Sequence, residues 1–164
     1  MPTPAAVITV SDRSAAGVRA DTSGPVAVAA LREAGYACAD AQVVPDGADA
    51  VERVLRATLA AGVRLIVTTG GTGLSPRDQT PEGTVRVITR AVPGIAEELR
   101  RRSAAEKPAG MLSRGLAGVA GGADGAPGAL IVNLPGSTAA VASGMPVILS
   151  VAGHLIGQLD GGDH

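Results

Sequence analysis

The sequence predicts a three-layer α/β domain, a doubly wound and mostly parallel sheet with helices on both faces, with residues 1–164 as one domain. Three observations lead there. Short β-branched runs alternate with longer segments of helical periodicity. Glycine and proline mark nearly every junction. Hydrophobic residues are 46% of the chain but include one Tyr, no Phe and no Trp, so the core must be built from Ala, Val, Leu and Ile. Val and Ile suit buried strands. Strand, helix, strand order implies right-handed crossovers and a parallel sheet.

Residues 5–10 (AAVITV) read as a buried strand, followed by a polar loop to Gly24. Pro25 suits the first turn of a helix that runs to Ala34 and stops at Gly35. Residues 36–44 contain a second strand. Asp46 stands where a helix N-cap belongs, ahead of a helix over 48–61. On that helix Val51, Val54, Leu55 and Leu59 share one face, and Glu52 and Arg56 form an i,i+4 pair on the other. Residues 65–68 are a third strand, opening into TGGTGLSPRDQ at 69–79. Thr80, Pro81 and Glu82 then read as N-cap, first-turn proline and first-turn acid. Pro93 opens another helix, with Glu97/Arg101 and Glu98/Arg102 as pairs. Residues 121–128 are Gly-rich and read as a mobile loop. Residues 129–134 are a further strand. A closing amphipathic helix is expected over 146–159, with Ile148, Val151, Leu155 and Leu159 on one side. No repeat or linker divides the chain.

Composition narrows the function. A net charge of −1 offers no basic field for a nucleic-acid backbone, and the near-absence of aromatics removes any base-stacking platform. One cysteine, Cys38, permits neither an internal disulfide nor a cysteine zinc cage, and it reads as a buried small hydrophobe. The first residues have no basic leader, and no apolar run is expected to reach membrane-spanning length; cytoplasm is the expected compartment. Lys107 is the lone Lys and follows no glycine run, so a P-loop is absent.

In a doubly wound sheet, ligands sit outside the carboxyl ends of the strands, at a switch point. The strand exits here carry Ser11, Asp12 and Arg13; Asp46; the glycine loop ending in Arg77 and Asp78; and Asn133, Pro135, Gly136 and Ser137. Gly70, Gly71 and Gly73, with Thr72 among them, can turn successive amides into an anion-binding nest, or can simply make a tight strand-to-helix turn. The spacing is not that of a dinucleotide fingerprint. Asp46 is either a plain helix cap or a site carboxylate. Asp78 is either half of a surface pair with Arg77 or a ligand for a hard cation. Two carboxylates beside a phosphate-friendly loop suggest Mg²⁺, which takes one or two carboxylates together with substrate phosphates. Ser113 and Arg114 read as a phosphate contact or as an ordinary loop pair. His154 reads as a packed or surface histidine, and His164 is terminal.

The blocks SDRSAAGVRADTSGP, VVPD, TTGGTGLSPRDQTPE, PGIAEELR, MLSRGLAGV and NLPGS occur in this order. Together they resemble the Mog/MoaB family of molybdopterin adenylyltransferases, which includes the G domain of gephyrin. The resemblance runs from the first strand to the NLPG loop. It implies a trimer, or dimer of trimers, of α/β subunits that activates molybdopterin with ATP for later metal insertion by a downstream protein. It implies that Asp46 and Asp78 are the essential, Mg²⁺-holding aspartates. It implies that ligands meet residues 70–73, 11–13, Ser113, Arg114 and 133–137. One departure is Thr138, where the family often has Pro after NLPGS. The resemblance leans toward the compact MoaB-like form.

The reaction so implied joins the terminal phosphate of molybdopterin to the α-phosphorus of ATP. A phosphate monoester has its second pKa near ~6 and is mostly dianionic at neutral pH, so no general base is required. The expected tools are positioning and charge neutralisation, with Arg13, Arg77 and Arg114 as phosphate partners. Competing readings are a non-catalytic molybdopterin-binding or scaffolding protein, a flavin or nicotinamide protein on a similar sheet, and a related domain acting on another nucleotide.

Overall fold

The computed structural model describes residues 1–121 and 125–162. The predicted loop at 121–128 therefore lies partly outside the described residues, and His164 wholly outside. The described elements, in chain order, are β1 (Pro4–Val10), α1 (Asp12–Ala15), α2 (Ser23–Glu33), β2 (Ala37–Cys38), β3 (Gln42–Val44), α3 (Ala48–Ala60), β4 (Leu65–Thr69), α4 (Thr80–Val85), β5 (Arg90–Ala91), α5 (Pro93–Glu106), a 3₁₀ turn (Pro108–Leu112), β6 (Ala117–Ala120), β7 (Ala129–Leu134) and α6 (Thr138–Leu159).

The sheet order is β2-β1-β4-β7-β6-β5, with β3 also pairing β1. β1, β2, β3, β4 and β7 run parallel, in a register that sets Ala5 beside Leu65 and Leu65 beside Leu130. β6 and β5 close that edge antiparallel. After β1 the chain goes to one side of the sheet, and after β3 it crosses to the other. The switch point lies between β1 and β4.

Strand side chains alternate between two cores, as a strand buried on both faces requires. Val7, Leu65, Val67, Leu130 and Val132 face α2, α5 and α6. Ile8, Val10, Ile66 and Ile131 face the Val51, Val54 and Leu55 stripe of α3, with Val87 after α4. Leu59 and the Glu52–Arg56 pair, at 2.9 Å, stand as expected. Tyr36 packs against the first core where β1 and β2 begin, at the end of the sheet opposite the strand exits.

Several local expectations give way. The polar loop after β1 opens with a helical turn, α1, because Ser11 Oγ accepts the Ser14 amide at 3.1 Å. β5 and β6 are too short for a period to declare them. On α5, Arg101 and Arg102 both bond Glu98, at 2.8 Å, so Glu97 is not the partner of Arg101. The last helix starts at Thr138, capped by Ser137 Oγ, with Pro146 inside it. Its buried stripe is Val141, Met145, Ile148, Ala152 and Ile156, while Val151 is exposed. At 22 residues, with an 18-residue stretch of mean hydropathy 1.7, α6 is long and apolar enough to cross a membrane, which the sequence did not lead one to expect. Here it packs that stripe against β7, α2 and α5 as a core helix.

Candidate active site

Gly70 leaves β4 at the switch point with φ 91°, and its amide donates to Leu134 O of β7 at 3.0 Å. A β-carbon there would stand 2.3 Å from Val10 O, so only glycine lets β4 pass the end of β1. Gly71 follows at φ 67°. Thr80 fastens the turn from behind: its Oγ1 donates to Gly70 O at 2.9 Å, and its amide donates to Gly71 O at 3.0 Å. Thr80 is therefore not the predicted N-cap. Gln79 holds that position, and Pro81 and Glu82 follow in the first turn as expected.

Asp46 is not a helix cap either. Gly47 is the cap of α3, and the Ala48 amide donates to Gln79 Oε1 at 3.0 Å. Asp46 turns to α1 instead. The Asp12 amide donates to Asp46 Oδ2 at 2.9 Å, and the Asp46 amide donates to Asp12 Oδ1 at 3.1 Å. Arg77 closes this seam, donating to both Asp12 oxygens, at 3.1 and 3.2 Å, and to Asp46 O at 2.9 Å. The alternative that paired it with Asp78 does not hold; its carboxylate partner is Asp12, 65 positions away. Burial, then the charges of Asp12 and Asp78, push the Asp46 carboxyl above the usual aspartate range. The Arg77 hydrogen bond holds Asp12 below it.

The second oxygen of Asp46, Oδ1, lies 3.1 Å from where a β-carbon on Gly71 would stand. Asp78 Oδ2 lies 2.8 Å from the corresponding point on Gly73 and accepts the Ser75 amide at 3.1 Å. Each carboxylate thus stands against the glycine loop, Asp46 at Gly71 and Asp78 at Gly73.

Two clefts flank this loop. The larger, about 420 Å³, is lined by residues 70–73, Asp78, Ser113, Pro135, Gly136 and Ser137. It also takes in residues the sequence reading missed: Ser103, Glu106 and Lys107 at the end of α5, Ala109, Gly110 and Leu112 of the 3₁₀ turn, and Ala139 and Ala140 of α6. The only signal for them was KPAG standing directly before MLSR. The smaller cleft, about 330 Å³, is lined by Ser11, Ser14, Arg19, Asp21, Thr22, Ser23 and Thr69. The clefts share Gly70, Gly136 and Ser137.

Other predicted contacts are corrected. Asn133 is buried at 3% exposure; its Nδ2 donates to Thr68 Oγ1 and Thr84 Oγ1, at 2.9 and 3.0 Å, and its Oδ1 accepts the Leu116 amide at 3.0 Å. That side chain is framework and cannot reach a ligand. Arg77 and Arg114 are both engaged by the protein; Arg114 bonds Glu82, Gly73 O and Asp78 O. Arg13 is exposed on α1 and lines neither cleft. Asp12 and Asp46 line neither cleft, though Asp46 Oδ1 stands beside Gly71. His154 is exposed on α6 beside Gln158, and it lines neither cleft.

Among the described residues no three ligating side chains gather around one point. A resident metal cage is therefore absent from them. Two carboxylates and a glycine loop fit a hard cation only when a ligand supplies the remaining oxygens.

A family model described as "Probable molybdopterin binding domain" matches residues 6–154. The chain belongs to this family. The bifunctional molybdenum cofactor biosynthesis protein of Synechococcus elongatus is 39% identical over 98% of the chain and 48% of its own length. The molybdopterin adenylyltransferase of Pyrococcus furiosus is 34% identical over 92% of the chain and 87% of its own length. The solved structure of the molybdopterin biosynthesis Mog protein from Mycobacterium ulcerans superposes with a TM-score of 0.88, at 39% identity over 98% of this chain and 99% of that one. The chain spans about half the length of the first curated relatives it matches. Molybdenum cofactor biosynthesis is the process this molybdopterin-binding family serves, and the fold is the Mog/MoaB fold.

Proposed function

We propose that the chain is a molybdopterin adenylyltransferase, transferring AMP from Mg-ATP to the terminal phosphate of molybdopterin. The observation that carries this is the pairing of Asp46 and Asp78 across a glycine loop that also parts two clefts. Two adjoining clefts suit two substrates whose reacting phosphates must meet. A relative that aligns over 92% of this chain bears the name of this activity.

A phosphate oxygen of molybdopterin attacks the α-phosphorus of ATP. The new P–O bond forms as the bond from the α-phosphorus to the bridging oxygen breaks, and pyrophosphate leaves with the electron pair. The nucleophile is already an anion at neutral pH. The chain's contribution is to hold two anions together. The amides of residues 71–73 would face phosphate oxygens, the Gly70 amide being taken by Leu134 O, and Leu112, Pro135, Ala139 and Ala140 give the larger cleft an apolar wall. Asp46 and Asp78 would hold Mg²⁺ with phosphate oxygens, and the ion supplies charge neutralisation. Burial first, and then the charges of Asp12 and Asp78, raise the Asp46 carboxyl, and a bound cation would offset both.

The test is pyrophosphate release from Mg-ATP, with and without molybdopterin, in wild type and Asp78→Asn. Release that depends on molybdopterin and collapses in the variant supports the reading. Tight molybdopterin binding without release overturns it in favour of a binding or scaffolding protein. We further propose that the chain assembles as a homotrimer or hexamer in the cytoplasm. Support comes from the apolar groove that Val26, Ala30, Met145 and Leu149 form between α2 and α6. Light scattering on the purified protein decides the assembly, and a monomer rejects it.

A further inference from the structure

We propose that Arg114 is a positioning residue: its guanidinium, anchored on Glu82, grips both ends of the 73–78 segment and sets where the Asp78 carboxylate stands. The sequence placed Arg114 among the phosphate contacts, but in the structure all three nitrogens of its fork are engaged by the protein. Nε donates to Gly73 O at 2.9 Å, one Nη donates to Asp78 O at 2.8 Å, and the other bonds Glu82 Oε1. The Arg114 amide adds a bond to Thr72 O at 2.9 Å. One rigid planar group therefore spans the loop from the Gly73 carbonyl to the backbone carbonyl of Asp78, the residue that carries the carboxylate.

The segment needs such a grip. Residues 74–77 are exposed, and Leu74 at 68% exposure has no apolar anchor. Inside the loop, only the Asp78 amide to Ser75 O, at 2.9 Å, and the Ser75 amide to Asp78 Oδ2 hold its shape. Arg77 ties the segment to the Asp12 side but leaves the side that faces the larger cleft to Arg114.

The support behind Arg114 is built for that one task. Arg100, from α5, donates to Ser113 O at 3.3 Å and Gly115 O at 2.9 Å, bracketing the Arg114 backbone. Glu82 Oε2 is buried without a hydrogen-bond partner, and Arg114 is the side-chain partner of the other oxygen. Glu82 rides on α4, whose Thr80 fastens the other end of the glycine turn. Lysine cannot replace this fork, because an ammonium donates from a single point.

The kinetic part of this inference rests on the adenylyltransferase reading; the structural part does not. The experiment measures Arg114→Lys and Glu82→Gln beside wild type, reading kcat and KM for both substrates and hydrogen exchange at the amides of 73–79. For Arg114→Lys the expected result is a kcat lower by about 100-fold, the scale of a carboxylate misplaced by an ångström, with both KM values nearly unchanged. Exchange over 73–79 should quicken in both variants while the amides of β4 and β7 keep their protection. Glu82→Gln, which keeps an acceptor, should lose less than Arg114→Lys. A wild-type kcat with a raised KM would make Arg114 a phosphate contact and overturn the proposal. So would unchanged exchange over 73–79 in both variants. If wild type releases no pyrophosphate, the adenylyltransferase reading falls, and the exchange result decides the role of Arg114 alone. If Arg114→Lys does not fold, Glu82→Gln carries the same two readouts.

Discussion

The two sides of the glycine loop use the same residue types to opposite ends. On the β1 and β3 side, Asp12, Asp46 and Arg77 close on one another, and the seam they make joins two strand exits. On the β7 side, Asp78, Ser113 and Ser137 stand in the wall of an open cleft whose remaining lining is largely apolar. One side satisfies its polar groups internally except for Asp46 Oδ1, which is left beside Gly71; the other leaves them facing a space that a ligand can fill. Motif residues thus divide into those that build the rim and those that face its contents, and residue type does not say which is which. Asn133 is the clearest case. It sits in the NLPGS block beside Pro135 and Gly136, yet its amide is buried under β4 and α4.

Substitutions on each side test that division. The largest effect is expected at Asp78→Asn: turnover should fall by about 10²–10³-fold, the scale of losing one preorganised electrostatic contact, with the melting temperature held. Near-normal turnover would move Asp78 to the structural side. Next is Asn133→Ala, which strands the Leu116 amide and removes the donor to the Thr68 and Thr84 hydroxyls, Thr84 keeping its bond to Thr80 O. It should cost about 3 kcal/mol of stability, or roughly 6–12 °C in Tm, with activity per folded molecule retained. A stable variant with poor substrate binding would return Asn133 to the ligand face.

The smallest effect is expected at Arg77→Gln. Asp12 is held low chiefly by Arg77, so its pairing adds stability above the ordinary aspartate pKa, near ~4, and that stability is lost as pH falls through the depressed value. The variant should melt slightly below wild type at neutral pH and converge with it in acid. Arg77 also offsets the raised Asp46 carboxyl. Its removal should therefore move the acid limb of the rate profile to higher pH. A profile that does not move would exclude Asp46 from the rate-determining ionisation.

The sequence made the parallel half of the fold legible, because β1, β4 and β7 are continuous apolar runs buried on both faces and α3 carries a clear stripe. The antiparallel edge was hidden, since β5 has two residues and β6 is the small-residue stretch AGVA. Pro146 concealed the first two turns of α6: an interior proline removes a helical bond, and the buried face from Val141 to Ile156 overrides that penalty. At the site, the glycine turn, Asp78 and the NLPGS wall could be read from local chemistry. The partners of Arg77 and Arg114 could not, because each bonds groups 31 to 65 positions away. Local spacing carries no information about such pairs. Lys107 and the 3₁₀ turn reach the cleft only because α5 ends there.

Tyr36 is the only Tyr in a chain with no Trp and no Phe, and it lies where the strands begin rather than where they end. The protein is therefore almost transparent in the near ultraviolet, and its one chromophore is remote from the clefts. Purine or pterin absorbance and fluorescence can be followed during titration on a nearly dark background, without a label and without inner-filter correction for the protein. A spectral change on mixing would belong to the ligand's own surroundings.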